Sequence, residues 1–231
     1  MRLEKKLSLL RNIASDLQII HSQNLINTDL HSGNILLNDL NHAYIADLGF
    51  SIPDNLTSTL KSDGILGILP YIDPEVLNGK SYTKKSDIYS FGIIMWEILY
   101  GKQVYSNDKS ESQLQLLQFQ IRFDGWHPHI PEDVTPPCYV DLMKKCWSRE
   151  PEKRPSAEEI CNIFTQWQND KNILLELSKY NKKIRSQSSN DPKKHSDNMH
   201  TSKIIKQIMG EPNVNKQLDK IGSDDDFILP L

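Results

Sequence analysis

Apolar residues recur every three or four positions at the start of the chain. Leu3, Leu7, Leu10, Ile13, Ala14, Leu17 and Ile20 form one stripe, continued by His21, which is the spacing of an amphipathic helix. Two short β-type runs follow, Asn34–Leu37 (NILL) and Ala43–Ala46 (AYIA), with Asn38–Asn41 between them as a hairpin turn. From Asp47 to about Pro74 the periodicity stops. A loop that long inside a compact domain is usually functional. The stretch Ile88–Tyr105 is the most apolar of the chain, with a core from Phe91 to Leu99 interrupted by Glu97. A membrane span needs about 20 apolar residues, so this pattern predicts a helix buried at the centre of a helical domain. Further helices are predicted near Ser110–Gln120, Pro137–Trp147 and Ser156–Asn169. Ser156 with Glu159 fits an N-terminal capping box.

The pattern fades near residue 180. Lys182–Leu231 is rich in Ser, Asn, Asp and Lys and poor in aromatics, so it cannot bury enough apolar surface to offset its ordering entropy. It is predicted to be largely disordered, with a short helix around Ser202–Met209. The division that results is a domain over 1–170 and a tail over 171–231, helical at its start. The 231 residues, 38% of them hydrophobic and 25% charged, suit one ordinary globular domain with a tail. A net charge of −3 gives no reason to expect nucleic acid or an acidic membrane surface as partner. Cys138, Cys146 and Cys161 are odd in number and form no C-x-x-C pair, which suggests buried free thiols in a reducing compartment. Arg2, Glu4, Lys5 and Lys6 break any signal-peptide pattern. A cytoplasmic location is expected.

Two carboxylates bracket the predicted hairpin. Asp29 lies in NTDLHSGNILL and Asp47 in IADLGFS, and Asn34 stands five residues after Asp29. The Asp-x4-Asn spacing alone says little, because both residues are common in turns. Combined with a tight hairpin and Asp-Leu-Gly, it can gather two carboxylates and an amide oxygen on one edge. Hard oxygen ligands of this kind suit Mg²⁺, and a carboxylate free of metal can orient a hydroxyl nucleophile. His127 and His129 form a His-x-His pair without a third ligand and are read as a surface loop.

These segments resemble the protein kinase family over about residues 3–168. NTDLHSGN stands in the place of the family's catalytic loop H-R-D-L-x-x-x-N, DLG in the place of D-F-G, and DPE in the place of A-P-E. KSDIYSFGIIMWEILYGK looks like its buried central helix and CWSREPEKRPSAEEI like its closing Arg-containing segment. The wording LHSGNILL, PYIDPEVL and CW…RP is closest to the tyrosine-kinase-like group of serine/threonine kinases. The resemblance implies a mostly α fold: the helical C-terminal lobe around a buried central helix, with a small β-hairpin at the active-site edge. It implies transfer of the ATP γ-phosphate to a Ser/Thr hydroxyl of a protein. Asp29 would orient the acceptor hydroxyl, and Asn34 and Asp47 would hold Mg²⁺ on the nucleotide. Glu75 would pair with Arg154, and Asp87 would accept hydrogen bonds from the catalytic-loop backbone.

The departures are as informative. Asn27-Thr28 replaces the family's His-Arg, and Thr28 offers no guanidinium to a phosphate on Thr57, Ser58, Thr59 or Ser62. Activation-segment phosphorylation is therefore not expected to be the main switch. Leu48 replaces Phe, and Asp73 adds a charge beside Pro74-Glu75. Ile68 and His31 stand where the resemblance leads one to expect Thr and Lys. The ten glycines never form G-x-G-x-x-G, and no V-A-I-K-like strand precedes the catalytic loop. The N-terminal lobe is thus expected to be absent, ATP binding weak and this chain alone inactive. The alternative is a pseudokinase-type binding or scaffold module. Partners would be a protein substrate or signalling protein, and a chaperone or an N-lobe partner on the open face. Leu48, Ile26 and part of the Leu7–Leu17 stripe are expected to meet water there.

Overall fold

The computed structural model describes residues 3–38, 42–57, 65–104, 110–131, 136–188 and 203–205. Helix α1 spans Leu3–Ser22 and buries Leu3, Leu7, Leu10, Ile13, Ala14, Leu17 and Ile20. Leu9 and Lys6 are buried too, so the covered face is wider than the stripe. Helix α3, Lys84–Tyr100, is buried continuously from Ser86 to Met95, as its all-round apolarity requires. Thr83 caps its start by accepting from Ser86 N–H, and Gly101 ends it at φ 65°, a left-handed value that glycine adopts without strain. Gly92 is needed for packing: a Cβ there would lie 2.9 Å from Cys146 Cβ. Cys146 belongs to α5, Pro137–Cys146, which lies against α3.

Helix α6, Ala157–Asn169, starts on a complete Ser156–Glu159 capping box and covers α1. Helix α7, Lys171–Ser188, adds Leu177 to the core, with Ile173 and Leu174 against it. It runs past Lys182, where loss of structure was expected. A second core cluster joins Ile26, Leu69, Ile72, Val76, Leu77, Tyr82, Leu117 and Ile121. It lies between the loop region, the short α2 (Pro74–Leu77) and α4 (Glu111–Phe119). A π-helical turn, Gln120–Asp124, extends α4.

The strands are short. β2 (Ile35–Leu37) and β3 (Ala43–Ile45) form the predicted hairpin, with Leu36 opposite Tyr44. Asn38 closes the turn by accepting His42 N–H at 2.9 Å. β1 (Leu25–Ile26) pairs antiparallel with β4 (Ile52–Pro53). β5 (Ile65–Gly67) pairs antiparallel with β6 (Lys203–Ile205). A strand thus stands inside the stretch read as a short helix from Ser202 to Met209. The β-branched Ile204 and Ile205 favour extended backbone, and β5 supplies them with a ladder partner. The remainder of the stretch expected to be disordered, with Ser58, Thr59 and Ser62, lies outside the described residues. No helix among the described residues is long and apolar enough to cross a membrane.

Candidate active site

The candidate residues gather where α1, the hairpin and α3 meet. Asp87 on α3 organises the loop. Its Oδ2 accepts Asn27 N–H at 2.9 Å, and its Oδ1 accepts Thr28 N–H at 3.1 Å. His21 Nε2, from the end of α1, lies 2.8 Å from the same Oδ2. Thr28 is held at φ 63°, a costly conformation for a β-branched residue, of order 1–3 kcal/mol. Its hydroxyl donates to Phe50 O at 2.8 Å, so the strained residue is fixed from both sides. Where the family pattern has Arg, this chain ties the loop to the residue after Asp47-Leu48-Gly49.

Asp29 is buried, with 3% exposure. Its N–H donates to Asn27 Oδ1 at 3.2 Å, a positioning contact that the sequence did not reveal. Asn34 Nδ2 donates to Asp29 O at 3.0 Å. His31 is buried and accepts Gly33 N–H on Nδ1 at 3.0 Å. Its Nε2 stands 3.7 Å from Asp29 Oδ2. Ser32 Oγ and the hydroxyl of Tyr71 lie 3.0 Å apart. Burial, followed by the charge of Glu97, pushes the Tyr71 phenol well above its ordinary value, so it is a neutral hydroxyl.

Asp47 joins the group through the backbone. Ala46 N–H donates to Asn34 O at 2.8 Å, so Asp47 follows directly on the residue bonded to Asn34. Asp47 is exposed, sits at φ 56°, and accepts Gly49 N–H at 3.2 Å. The hairpin behind it is fixed by Asp16 of α1, which accepts Ile45 N–H at 2.9 Å. These residues fit Mg²⁺. The Asn34 amide NH₂ is used on Asp29, which leaves the amide oxygen for a cation, and Asp47 offers a solvent-open carboxylate. Among the described residues no group of three or more His, Cys, Asp or Glu could hold a metal. Two protein oxygens completed by phosphates and water is the coordination Mg²⁺ favours.

The expected Glu75–Arg154 pair is not formed. Arg154 is 1% exposed and Asp73 is 2% exposed. The guanidinium engages both oxygens of Asp73, with Nη2 donating to Oδ1 at 3.1 Å. It also donates from Nε to Ser148 O at 2.7 Å and lies over the Tyr89 ring at 5.4 Å. Glu75 pairs instead with the exposed Lys80. Asp73 precedes the first turn of α2, where its carboxylate also accepts Glu75 N–H at 2.9 Å. The shorter side chain satisfies a helix N-terminus and a buried cation together.

The exposed apolar surface also differs from expectation. Leu48 is 49% exposed, as predicted, but Ile26 is 0% exposed and the α1 stripe is covered. α6, α3 and β3 pack on α1, and Ile26 enters the second core cluster. The apolar residues that do meet water here are Leu36, Leu37, Tyr44 and Phe50.

This geometry defines a protein kinase domain. The family model for protein tyrosine and serine/threonine kinases matches residues 1–164, and the chain belongs to that family. It is 33% identical over 160 residues to a protein of Dictyostelium discoideum named a probable serine/threonine-protein kinase, covering 69% of this chain and 11% of the relative. A probable LIM domain-containing serine/threonine-protein kinase of the same organism is 36% identical over 159 residues, covering 69% and 23%. A serine/threonine/tyrosine-protein kinase of Arabidopsis thaliana is 31% identical over 167 residues, covering 72% and 41%. The chain thus spans less than half the length of each of these relatives.

Proposed function

We propose that the chain is the C-terminal lobe of a serine/threonine protein kinase and carries the phosphoryl-transfer residues of the enzyme. The contact of Asn34 with Asp29, and the backbone bond that sets Asp47 next to the residue joined to Asn34, carry this reading. Protein kinases generally use ATP and Mg²⁺. Asn34 and Asp47 would hold Mg²⁺, which when bound neutralises charge on the transferring phosphate. Asp29 orients the acceptor hydroxyl and takes its proton. Asp87 holds the loop in which Asp29 sits, and Asn27 fixes the Asp29 backbone. Phosphoryl transfer depends on positioning and electrostatics, and these residues supply the acceptor side of both.

The exposed Leu36, Leu37, Tyr44, Leu48 and Phe50 suit a seat for an ATP-covering lobe. These 231 residues contain no Gly-rich loop, so the chain on its own binds Mg-ATP at millimolar strength or weaker. A non-catalytic binding module is the second reading. Thr28 favours it, because its hydroxyl is committed to Phe50 and offers nothing to an activating phosphate. The metal role is tested by Mn²⁺ with millimolar ATP on the isotope-labelled chain. Paramagnetic broadening centred on Asn34 and Asp47, and lost in Asp47→Asn, is expected. Broadening centred elsewhere would exclude it.

A further inference from the structure

Two strands far apart in sequence meet beside the candidate catalytic carboxylate. β5 ends at Gly67, where a Cβ would lie 3.7 Å from Asp29 Oδ1. Among the described residues the sheet containing β5 has one other strand, β6. Its register places Ile205 opposite Ile65, Ile204 opposite Leu66 and Lys203 opposite Gly67. The antiparallel segment therefore reaches the Asp29 end of β5 with Lys203.

We propose that the β5 edge is a strand-addition site beside Asp29, and that Lys203–Ile205 of this chain's own tail occupies it as a competitor of other extended protein segments. The inhibitory consequence rests on the reading of Asp29 given above; the docking does not. Strand addition draws its affinity from main-chain hydrogen bonds, which any extended segment can supply, so two segments cannot use one edge together. Residues 189–202 separate β6 from the end of α7, and 15 residue steps reach up to about 50 Å. A three-residue ladder is weak as a separate peptide. Attachment raises its local concentration to the order of millimolar, which makes the contact effective and still displaceable.

Hydrogen exchange on the full chain tests this. Ile204→Pro removes an N–H and fixes φ in β6 without touching a described core residue. Those amides among residues 65–67 that donate to β6, alternate ones in an antiparallel pair, should exchange about tenfold faster in the variant, while α3 keeps its protection. A peptide of residues 199–209, added at millimolar concentration, should restore the slow rate. Equal rates at 65–67 in both proteins would overturn the proposal, as would a variant whose fast rate the peptide leaves unchanged. Loss of the phosphoryl-transfer reading would leave these exchange rates as predicted, so the two failures are distinguishable.

Discussion

Asp73, not Glu75, holds the buried guanidinium of Arg154. The pair joins the end of the 47–74 segment to the region before α6, with both side chains almost wholly out of water. Removing one partner of a buried ion pair leaves an uncompensated charge and costs roughly 3–5 kcal/mol. Asp73→Ala should therefore lower stability by that order in urea unfolding. Glu75→Ala, which removes only the partly exposed contact to Lys80, should cost less than about 1 kcal/mol. Equal losses would show that the two carboxylates share the role.

Asp87→Ala should loosen the loop locally. It removes the acceptor for two buried N–H groups, those of Asn27 and Thr28, and each one left unsatisfied costs about 1–3 kcal/mol. Hydrogen exchange should accelerate across residues 25–34 first, with α5 and α6 retaining protection. Uniform acceleration over the whole chain would instead make Asp87 a global fold determinant.

The α6 cap gives a pH signature. Ser156 N–H donates to Glu159 Oε2 at 2.7 Å, and this bond, with the Ser156 hydroxyl, lowers the Glu159 carboxyl below its ordinary value. A carboxyl depressed by folding contributes stability above its unfolded value, and loses that contribution as pH falls through the folded one. The stability advantage of the wild type over Glu159→Gln should be complete above the usual glutamate value of about 4.3. It should fade at lower pH. An advantage that grew on acidification would contradict the cap.

The open edge predicts association behaviour. Leu37 and Leu48 are 52% and 49% exposed, and Phe50 and Tyr44 also meet water; exposed apolar surface favours partners. Leu37→Lys with Leu48→Lys should shift sedimentation of the isolated chain toward monomer without lowering its melting temperature. An unchanged oligomer distribution would remove this edge as the contact.

Long periodic elements were legible before the structure. The Leu3–Ile20 stripe and the Phe91–Leu99 run each repeat often enough to specify a buried helix, and Ser156–Glu159 marks its own helix start. The two-residue β1 and β4 carry no readable alternation. Ile26 was read as exposed because its cover, including Leu117 and Ile121, comes from nearly a hundred residues later. The partner of Arg154 was misread for a geometric reason. Asp73 and Glu75 are both carboxylates two residues apart, and the backbone entering α2 decides which one reaches. At the site, Asp29 and Asn34 lie within one short segment, so their closeness was readable, while the bond from Asn34 Nδ2 to Asp29 O was not. The tie between Thr28 and Phe50 depends on the path of the 47–50 turn and was not.

The most direct test of the catalytic reading is phosphate transfer by this chain joined to the ATP-covering half of one of its Dictyostelium relatives. With Mg-ATP and a protein substrate, the joined protein should phosphorylate Ser or Thr. Asp29→Asn should cut turnover by about a hundredfold or more while Mg-ATP binding persists, since loss of a proton-accepting group alone costs about 10²–10⁴-fold. A joined protein that binds Mg-ATP but transfers nothing, or an Asp29→Asn variant with unchanged turnover, would contradict the account.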